Sequence, residues 1–358
     1  MHKQFLLAAL EQARFGRGFC APNPSVGAVA VQHGKIIAQS WHRGAGTPHA
    51  EVLLLAQIQK DCPDVTIYVT LEPCNHWGKT PPCVDALIKH GVKQVVYAYS
   101  DPNPVVSANN TPVLLKAEGI DVVHHPLPET DRFYQSYRHW TFTHKPWVTV
   151  KLAQTFDGKI AAENGARAYL SNPLCGEFTH EQRLHSDVIL TTARTVNMDD
   201  PLLDVRLPGQ ERSKPVAIID SQLMLNPNAK VLAQASHCHV YYDDVTSTLP
   251  RDNKKMTYHA MRNVCGHIDL ITVINHLGSL GYHDVWVEAG AELFNALHEC
   301  GLVNRTYVYL VPNVLGDAAV SAYQNNNIFS KACSVTWQPM GDNMIACFEW
   351  LEDACLPD

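Results

Sequence analysis

The chain has 358 residues, of which 46% are hydrophobic and 18% charged, and its net charge is −7. This length favours two domains, and the composition is that of an ordinary globular protein. No run of about 20 apolar residues is present, so a membrane partner is not expected, and the acidic balance disfavours a general affinity for nucleic acid.

The first residues, MHKQFLLAALEQARFGRG (1–18), are apolar only briefly and then carry Glu11, Arg14 and Arg17. They predict an amphipathic helix and not a secretory signal. The eleven cysteines are an odd number in a long chain, which indicates reduced thiols, some of them metal-bound. We therefore expect the protein to stay in the cytoplasm and most cysteines to be buried as small apolar residues.

The first third of the chain alternates predicted strands and helices. A hairpin is expected over 26–41, turning near His33 and Gly34, and Thr47 and Pro48 are expected to begin the helix that comes next. The predicted elements after the hairpin are helix 49–58, strand 66–72, helix 84–91, strand 93–101, helix 111–119 and strand 120–125. This rhythm predicts a mixed sheet covered by helices.

Residues 125–146 interrupt the alternation of strands and helices, because this stretch is rich in aromatic residues and bounded by prolines. We interpret it as a connector with a helix at its centre and place the domain boundary near Lys145. A second α/β domain follows, with predicted strands at 147–153, 187–193, 216–220, 239–244, 284–290 and 306–312. The two predicted domains are therefore residues 1–145 and 146–358.

One imidazole and two thiols stand in an order typical of a catalytic zinc site. His49 begins a predicted helix, Cys74 follows a strand and Cys83 directly precedes another helix. A catalytic zinc keeps three protein ligands and a water, and helix starts favour the thiolate. Glu51, two residues after His49, is the expected proton carrier. Zinc deaminases share this His-x-Glu, Pro-Cys, Cys order, but with two residues between the cysteines where this chain has eight.

Four stretches of the first domain resemble the bifunctional deaminase/reductase family of riboflavin biosynthesis: PNPSVGAV (22–29), HAE (49–51), LEPCNHWGKTPPC (71–83) and DPNP (101–104). The resemblance implies a cytidine-deaminase-like fold with one zinc. The implied reaction is hydrolytic deamination of 2,5-diamino-6-ribosylamino-4(3H)-pyrimidinone 5′-phosphate. The implied substrate contacts are Asn23, His42, His76, Lys79, Asp101 and Asn103, with Lys79 a candidate for the phosphate.

The second half lacks a Gly-x-Gly-x-x-Gly motif, which disfavours a Rossmann dinucleotide fold. Small residues at 289–291 open a predicted helix and expose backbone N–H groups, which suits a phosphate. Four stretches resemble the reductase half of the same family: KLAQTFDGKIA (151–161), TTARTVNMDDPLLDVR (191–206), IIDSQ (218–222) and VEAGAEL (287–293). The resemblance implies a dihydrofolate-reductase-like domain that uses NADPH to reduce the ribosyl side chain to ribityl.

The same resemblance assigns two sets of residues to the reductase site. The cofactor set is Ala153, Tyr169, Thr195, Asp199, Ser221, Gly290, Ala291, Glu292, Leu293 and Phe294. The substrate set is Lys151, Arg167, Arg183, Leu203, Arg206 and Glu288. Lysine and arginine suit a sugar phosphate, since a guanidinium binds phosphate oxygens in pairs. Arg167 and Tyr169 stand where family members usually carry Ser and Trp.

Two other interpretations remain open at this point. One is a nucleoside, nucleotide or tRNA deaminase with an unrelated C-terminal domain, although a tRNA enzyme would need a basic groove. The other is a structural zinc site, which would require four protein ligands and leave Glu51 without a role. The favoured partner is a small phosphoribosyl-pyrimidine, with no nucleic acid or membrane, and a homo-oligomer is compatible with the sequence.

Overall fold

The computed structural model describes residues 1–60, 64–77, 81–107 (backbone only at 105 and 107), 110–163, 170–246, 254–264, 266–324 and 333–350. Contacts between residues divide the chain into two compact units, Met1–His144 and Lys145–Asp358. Within the described residues, every helix is too short or too polar to cross a membrane.

The first unit is a five-stranded sheet with helices on both faces. Its strands lie in the order β2-β1-β3-β4-β5; β1 pairs antiparallel with β2 and β3, whereas β3, β4 and β5 are parallel. The elements in chain order are α1 (His2–Arg14), β1 (Gly27–Gln32), β2 (Lys35–Trp41), α2 (Ala50–Leu55), β3 (Val65–Leu71), α3 (Cys83–His90), β4 (Gln94–Tyr99), α4 (Pro104–Ser107), α5 (Thr111–Ala117), β5 (Asp121–His124), α6 (Pro128–Phe133) and α7 (Gln135–Thr143).

The buried residues of β1 show why both faces of this sheet are covered. Side chains alternate between the two faces of a strand. Ala28 and Ala30 belong to a core cluster with residues of α2, α3 and α5, whereas Val29 and Val31 pack with Phe5, Leu6 and Ala9 of α1. The nearly continuous apolar sequence of β1 therefore fits a strand buried on both sides, and the mixed, helix-covered sheet is confirmed.

Two details of the first unit differ from the sequence prediction. Helix α2 begins at Ala50 with His49 as its N-cap; Thr47 does not cap it, because its hydroxyl donates to the carbonyl of Gly44. The connector contains two helices, α6 and α7, where one was expected. The chain turns between them at Tyr134, whose fully buried hydroxyl lies 2.6 Å from Thr70 Oγ1 and donates to the carbonyl of Ser25 over 2.9 Å. These bonds tie the connector to the first unit.

The second unit is built on a nine-stranded sheet in the order β11-β10-β9-β8-β14-β6-β15-β18-β17. The first seven strands are parallel, and β18 and β17 are antiparallel to their neighbours. The elements in chain order are β6 (Trp147–Thr155), β7 (Lys159–Ala161), α8 (Pro173–His185), β8 (Val188–Thr192), α9 (Ala193–Asp199), β9 (Pro215–Ile219), α10 (Lys230–Gln234), β10 (His237–Asp243), β11 (Met256–Met261), β12 (Asn263–Val264), β13 (His267–Ile268), α11 (Leu270–Ser279), β14 (Asp284–Glu288), α12 (Ala291–Glu299), β15 (Arg305–Val311), β16 (Val320–Ser321), β17 (Cys333–Met340) and β18 (Asn343–Trp350).

The six strands predicted for this unit are present, and the sequence prediction missed the strands that follow them at the end of the chain. β17 and β18 form a hairpin that completes one edge of the sheet. Most residues of β17 are exposed, including Trp337. The sequence of β17, CSVTWQPM, alternates apolar and polar residues, so the period-two signal of a strand was present and the prediction overlooked it.

The described cysteines only partly follow the sequence prediction. All eight are free thiols, as expected for a chain without a disulfide framework. Cys20, Cys175 and Cys238 are buried, but Cys300 is exposed, and Cys333 and Cys347 are half-buried. The expectation of a buried thiol is therefore wrong for Cys300. Cys62, Cys265 and Cys355 lie outside the described residues.

Candidate active sites

Three predicted ligands meet where α2, β3 and α3 approach one another. His49 caps α2, Cys74 lies in the segment after β3 and Cys83 is the first residue of α3. The Nδ1 atom of His49 is 3.1 Å from Sγ of Cys83 and 3.4 Å from Sγ of Cys74. All three ligand atoms lie within 4.8 Å of one another. Residues separated by up to 34 positions in sequence thus form one cluster.

The donor set fits a zinc ion. Zinc binds imidazole nitrogen at about 2.0 Å and thiolate sulfur at about 2.3 Å, so ligand atoms in a tetrahedral site lie roughly 3.5 Å apart. The observed 3.1 and 3.4 Å separations are close to this value. Hydrogen bonds from Cys83 and His49 also lower the pKa of the Cys74 thiol, which favours the thiolate that a metal requires.

Glu51 lies beside this cluster in the first turn of α2 and is only 4% exposed. Burial and the negative charge at Cys74 raise the pKa of its carboxyl, against the opposing charge of His49. A buried carboxyl of raised pKa takes up a proton more readily than an exposed one, so it suits proton transfer beside a metal site. Glu51 is not one of the three clustered ligand residues.

A fixed imidazole lines the same region. His42 Nδ1 lies 3.2 Å from the carbonyl of Pro48, which can only accept, so Nδ1 carries the proton. His42 Nε2 then accepts from the side-chain amide of Asn23 over 3.1 Å. Burial lowers the pKa of His42, which keeps this ring neutral. Its ring meets that of His49 edge-on at 5.3 Å, so Asn23 and His42 adjoin the metal ligands.

The DPNP segment contributes a buried carboxyl, Asp101, that accepts hydrogen bonds from two neighbours. Asp101 Oδ1 accepts from the backbone N–H of Asn103 at 2.9 Å and from the hydroxyl of Tyr137 at 3.1 Å. Its own N–H donates to Glu72 over 3.4 Å. Burial raises the pKa of Asp101 to about 6, although both hydrogen bonds oppose the rise. The carboxyl therefore titrates close to neutral pH.

The remaining predicted contacts of the first site lie on the segment between the two cysteines. His76 is half-buried, and its Nδ1 is buried without a hydrogen-bond partner among the described residues. Such a nitrogen can bond a substrate or a water. Lys79 lies outside the described residues.

The second unit contains a cleft of about 1240 Å³. Its walls come from the carboxyl ends of β6, β8, β9 and β14 and from the segments after them. Ligands of open parallel sheets bind at this edge. Because ligand pockets usually measure about 300–1,000 Å³, a cleft of this size can hold a dinucleotide together with a second molecule. The lining therefore fits NADPH and a substrate.

Most of the predicted reductase residues line this cleft. They are Ala153, Thr195, Asp199, Ser221, Gly290, Ala291, Glu292 and Leu293 of the cofactor set and Lys151, Arg183, Leu203 and Glu288 of the substrate set. Phe294 lies apart, because its side chain is 1% exposed and packs in the core. Arg206 is not among the lining residues, and its guanidinium donates to Asp204. Arg167 and Tyr169 lie outside the described residues.

Arg183 and Glu288 both line the cleft and form a buried ion pair that is joined by two hydrogen bonds. The guanidinium donates from Nε and Nη2 to the two carboxylate oxygens at 2.6 and 2.9 Å, and from Nη1 to the carbonyl of Asp204 at 3.0 Å. Trp286 Nε1 also donates to Glu288 over 2.7 Å. Burial alone would raise the pKa of Glu288, but Arg183 lowers it to about 2. Arg183 is thus engaged within the protein, and Glu288 is ionised at neutral pH.

Sequence reasoning missed Tyr137 and Glu72. Glu72 lies within the LEPC motif, so its nearness to Cys74 was visible, but its bond to Asp101 depends on the pairing of β3 with β4. Tyr137 comes from the connector, 36 residues after Asp101. The abundance of aromatic residues in that connector was the available signal, although it indicated no particular partner.

Each of the two units matches a known protein family. The family described as the cytidine and deoxycytidylate deaminase zinc-binding region matches residues 1–99, and the RibD C-terminal domain family matches residues 146–345. The second match excludes the alternative of a deaminase with an unrelated C-terminal domain. The predicted combination of a cytidine-deaminase-like and a dihydrofolate-reductase-like domain is confirmed.

Individual relatives match over most of the chain. The chain is 34% identical to the riboflavin biosynthesis protein RibD of Escherichia coli, over 88% of this chain and 89% of the relative. It superposes on the structure of Acinetobacter baumannii RibD with a TM-score of 0.84 and 28% identity, over 98% of this chain and 99% of that one. A Thermotoga maritima structure, described as a diaminohydroxyphosphoribosylaminopyrimidine deaminase/5-amino-6-(5-phosphoribosylamino)uracil reductase, gives a TM-score of 0.85 with 27% identity, over 98% of this chain and 99% of that chain.

Proposed function

The chain belongs to the bifunctional deaminase/reductase family of riboflavin biosynthesis, and on that premise we propose how its two units divide the work. Residues 1–145 deaminate 2,5-diamino-6-ribosylamino-4(3H)-pyrimidinone 5′-phosphate and release ammonia. Residues 146–358 reduce the ribosyl side chain of the deaminated product to a ribityl chain. The zinc-binding-region match at 1–99 and the RibD C-terminal match at 146–345 support this division.

His49, Cys74 and Cys83 hold the zinc of the deaminase. The bound metal supplies a water whose pKa is lowered toward neutrality. Glu51 accepts one proton of the attacking water and passes it to a ring nitrogen of the pyrimidine. It then takes the proton left on the added hydroxyl and delivers it to the amine, which departs as ammonia. The single observation that carries this proposal is the buried Glu51 carboxyl beside three converging ligands.

The neighbouring polar side chains bind and orient the substrate. Asn23 and the neutral His42 form a fixed pair beside the ligands, and His76 offers a buried ring nitrogen. Asp101 and Asn103 suit the hydroxyls of a ribose, because a carboxylate accepts hydrogen bonds and a side-chain amide both donates and accepts them. Lys79 remains the candidate for the phosphate.

In the reductase, bound NADPH supplies a hydride to the substrate. Thr195, Asp199, Ser221, Ala153 and the segment 290–293 hold the cofactor, with backbone N–H groups at the start of α12 facing its diphosphate. Leu203 and Lys151 face the substrate. Glu288, ionised and fixed by Arg183, orients the substrate and does not donate a proton at neutral pH.

The substrate is a small molecule, and we place the protein in the cytoplasm. Two observations support this location: the described cysteines are free thiols, and two of them, Cys74 and Cys83, belong to the candidate zinc site, which requires reduced sulfur. We propose no nucleic-acid or membrane partner, in keeping with the net charge of −7.

The test of this function is Glu51→Gln in the full chain. Because Glu51 moves protons and is not a ligand, the variant should keep its zinc and lose deamination by about 10²- to 10⁴-fold. Zinc content, ammonia release from the diamino substrate and NADPH oxidation with the deaminated product are measured on one preparation. NADPH oxidation should be unchanged.

Glu118→Gln is the matched control, since Glu118 is an exposed carboxylate of the same unit. It should leave zinc content and both activities as they are. Near-normal ammonia release by Glu51→Gln would show that the assigned proton carrier is wrong.

A further inference from the structure

Among the described residues that line the reductase cleft, three side chains carry a positive charge at neutral pH: Lys151, Arg183 and Arg194. The guanidinium of Arg183 is committed to both oxygens of Glu288 and to the carbonyl of Asp204. Lys151 lies on β6 with its ammonium 5.2 Å from the centre of the Tyr309 ring, and its charge also acts on Glu288. These two cations therefore belong to the Glu288 side of the cleft.

Arg194 differs from both in its exposure. It lies in the first turn of α9, directly before Thr195, and its side chain is 78% exposed. Its ion pair is with Glu292, at 3.5 Å, and the Glu292 side chain is itself 67% exposed. An exposed ion pair of this kind contributes little to stability, because water screens both charges. The guanidinium can therefore turn from Glu292 to a ligand at small cost.

The strand order places Arg194 beside the cofactor segments. Strand β8 lies between β9 and β14, and all three are parallel, so their carboxyl ends meet at one edge of the sheet. The segment after β9 carries Ser221, and the segment after β14 leads into Gly290 and α12. Asn197 of α9 donates to the carbonyl of Met224 over 2.8 Å, which fixes α9 against the segment that follows β9.

We propose that Arg194 binds the 2′-phosphate of the adenosine ribose and so makes the enzyme prefer NADPH to NADH; this inference rests on the proposed reductase function. The 2′-phosphate is the group that distinguishes the two cofactors, and it carries a charge of about −1.5 to −2 near neutral pH. A guanidinium matches phosphate oxygens with paired N–H donors. An arginine beside the adenosine ribose is a general means of accommodating this phosphate.

The diphosphate of the cofactor has a different set of donors. Helix α12 (Ala291–Glu299) begins at the cleft with Gly290 as its N-cap. The first N–H groups of a helix have no partner within the helix and suit a phosphate. Because NADH and NADPH share the diphosphate, these donors cannot separate them. Arg194, the exposed cation at the rim of the cleft, is therefore assigned to the 2′-phosphate, which only NADPH carries.

The experiment compares Arg194→Ala with the unaltered full chain by calorimetry. The two probes are adenosine 2′,5′-bisphosphate, which carries the 2′-phosphate, and adenosine 5′-monophosphate, which lacks it. Losing charge-assisted hydrogen bonds should weaken binding of the bisphosphate by about ten- to a hundredfold. Binding of the monophosphate should change by less than about twofold. The ratio of kcat/KM for NADPH to that for NADH should fall by the same factor as the bisphosphate affinity.

Arg212→Ala is the matched control, because Arg212 is an exposed arginine of the same unit that does not line the cleft. It should leave both affinities and the ratio unchanged. Equal weakening of both probes by Arg194→Ala would place Arg194 at the shared part of the cofactor and overturn the inference. An unchanged NADPH/NADH ratio in Arg194→Ala, when the unaltered chain binds NADPH, would also overturn it. Failure of the unaltered chain to bind NADPH would overturn the reductase assignment together with this inference.

Discussion

The hydroxyl of Tyr137 donates to Oδ1 of Asp101 over 3.1 Å, at a carboxyl whose pKa burial raises to about 6. A hydrogen bond to the ionised form favours ionisation, so Tyr137 holds this pKa below the value that burial alone would give. If ionised Asp101 accepts from the substrate, Tyr137 is a positioning residue that keeps the acceptor charged at neutral pH.

Tyr137→Phe should therefore raise the pKa of Asp101. The acidic limb of the kcat/KM profile for deamination should have its midpoint near pH 6 in the unaltered chain and at a higher pH in the variant. Loss of one hydrogen bond to a charged group, about 1.5–3 kcal/mol at most, corresponds to a shift of up to about one to two pH units. Most of the activity should return above pH 8, where Asp101 is ionised in both proteins.

Tyr134→Phe serves as the control, since its buried hydroxyl bonds Thr70 and Ser25 and not Asp101. It should lower stability without moving the acidic limb. If Tyr137→Phe lost activity equally at every pH and the acidic limb of its kcat/KM profile stayed in place, Tyr137 would not act through the pKa of Asp101. Its role would then be packing alone.

At the scale of elements, the position of α1 depends on one residue of β1. A Cβ atom on Gly27 would lie 2.1 Å from the carbonyl oxygen of Ala9 and 2.3 Å from the nitrogen of Ala13. Both are backbone atoms of α1, so no side chain can rotate away. Helix α1 carries Phe5, Leu6 and Leu10 into the core of the first unit. Glycine at this position is therefore what allows the helix to approach the sheet.

Gly27→Ala should destabilise the first unit by about 3 kcal/mol or more, since overpacking against backbone forces the helix to shift. Chemical denaturation followed by separate activity assays should show earlier loss of deamination, with NADPH oxidation retained. Gly176→Ala in helix α8 is the control, because a Cβ there would meet nothing within 4 Å. It should be neutral or slightly stabilising. Equal stability of Gly27→Ala and the unaltered chain would contradict the close packing of α1 on β1.

For the whole molecule, the core clusters show that each unit has its own interior. One cluster is formed around β1, β3 and β4 of the first unit, and another around β6, β8 and β14 of the second. The described core clusters contain residues of one unit at a time. Damage to the metal site in one core should therefore leave the other core intact.

Cys83→Ser should lower the zinc content and deamination together and spare the reductase. Serine is a poor substitute for a thiolate ligand, and a zinc site needs its full donor set. Metal analysis, ammonia release and NADPH oxidation give the three readouts. Cys20→Ser is the matched control, because Cys20 is a buried thiol of the same unit outside the ligand cluster. Parallel loss of both activities in Cys83→Ser, without general unfolding, would contradict the independence of the two units.

Local sequence determined the features that depend on residue type and short spacing. The sequence alone indicated the alternation of strands and helices, the hairpin turn at His33 and Gly34, and the candidate ligands His49, Cys74 and Cys83. The structure shows the elements and the converging ligand atoms. Periodicity and local motifs suffice here because backbone geometry and metal preference act over a few residues.

Tertiary structure decided which polar groups are already engaged and which face a ligand. The family resemblance assigned Arg183 and Arg206 alike to the substrate and gave Arg194 no role. In the structure, Arg183 is held by Glu288, Arg206 pairs with Asp204 away from the cleft lining, and Arg194 is exposed at the cleft rim. The partners of these arginines come from distant strands and helices, and burial alters the energy of each charge. Long-range pairing and desolvation therefore set the role of each cation, and neither can be deduced from neighbouring residues alone.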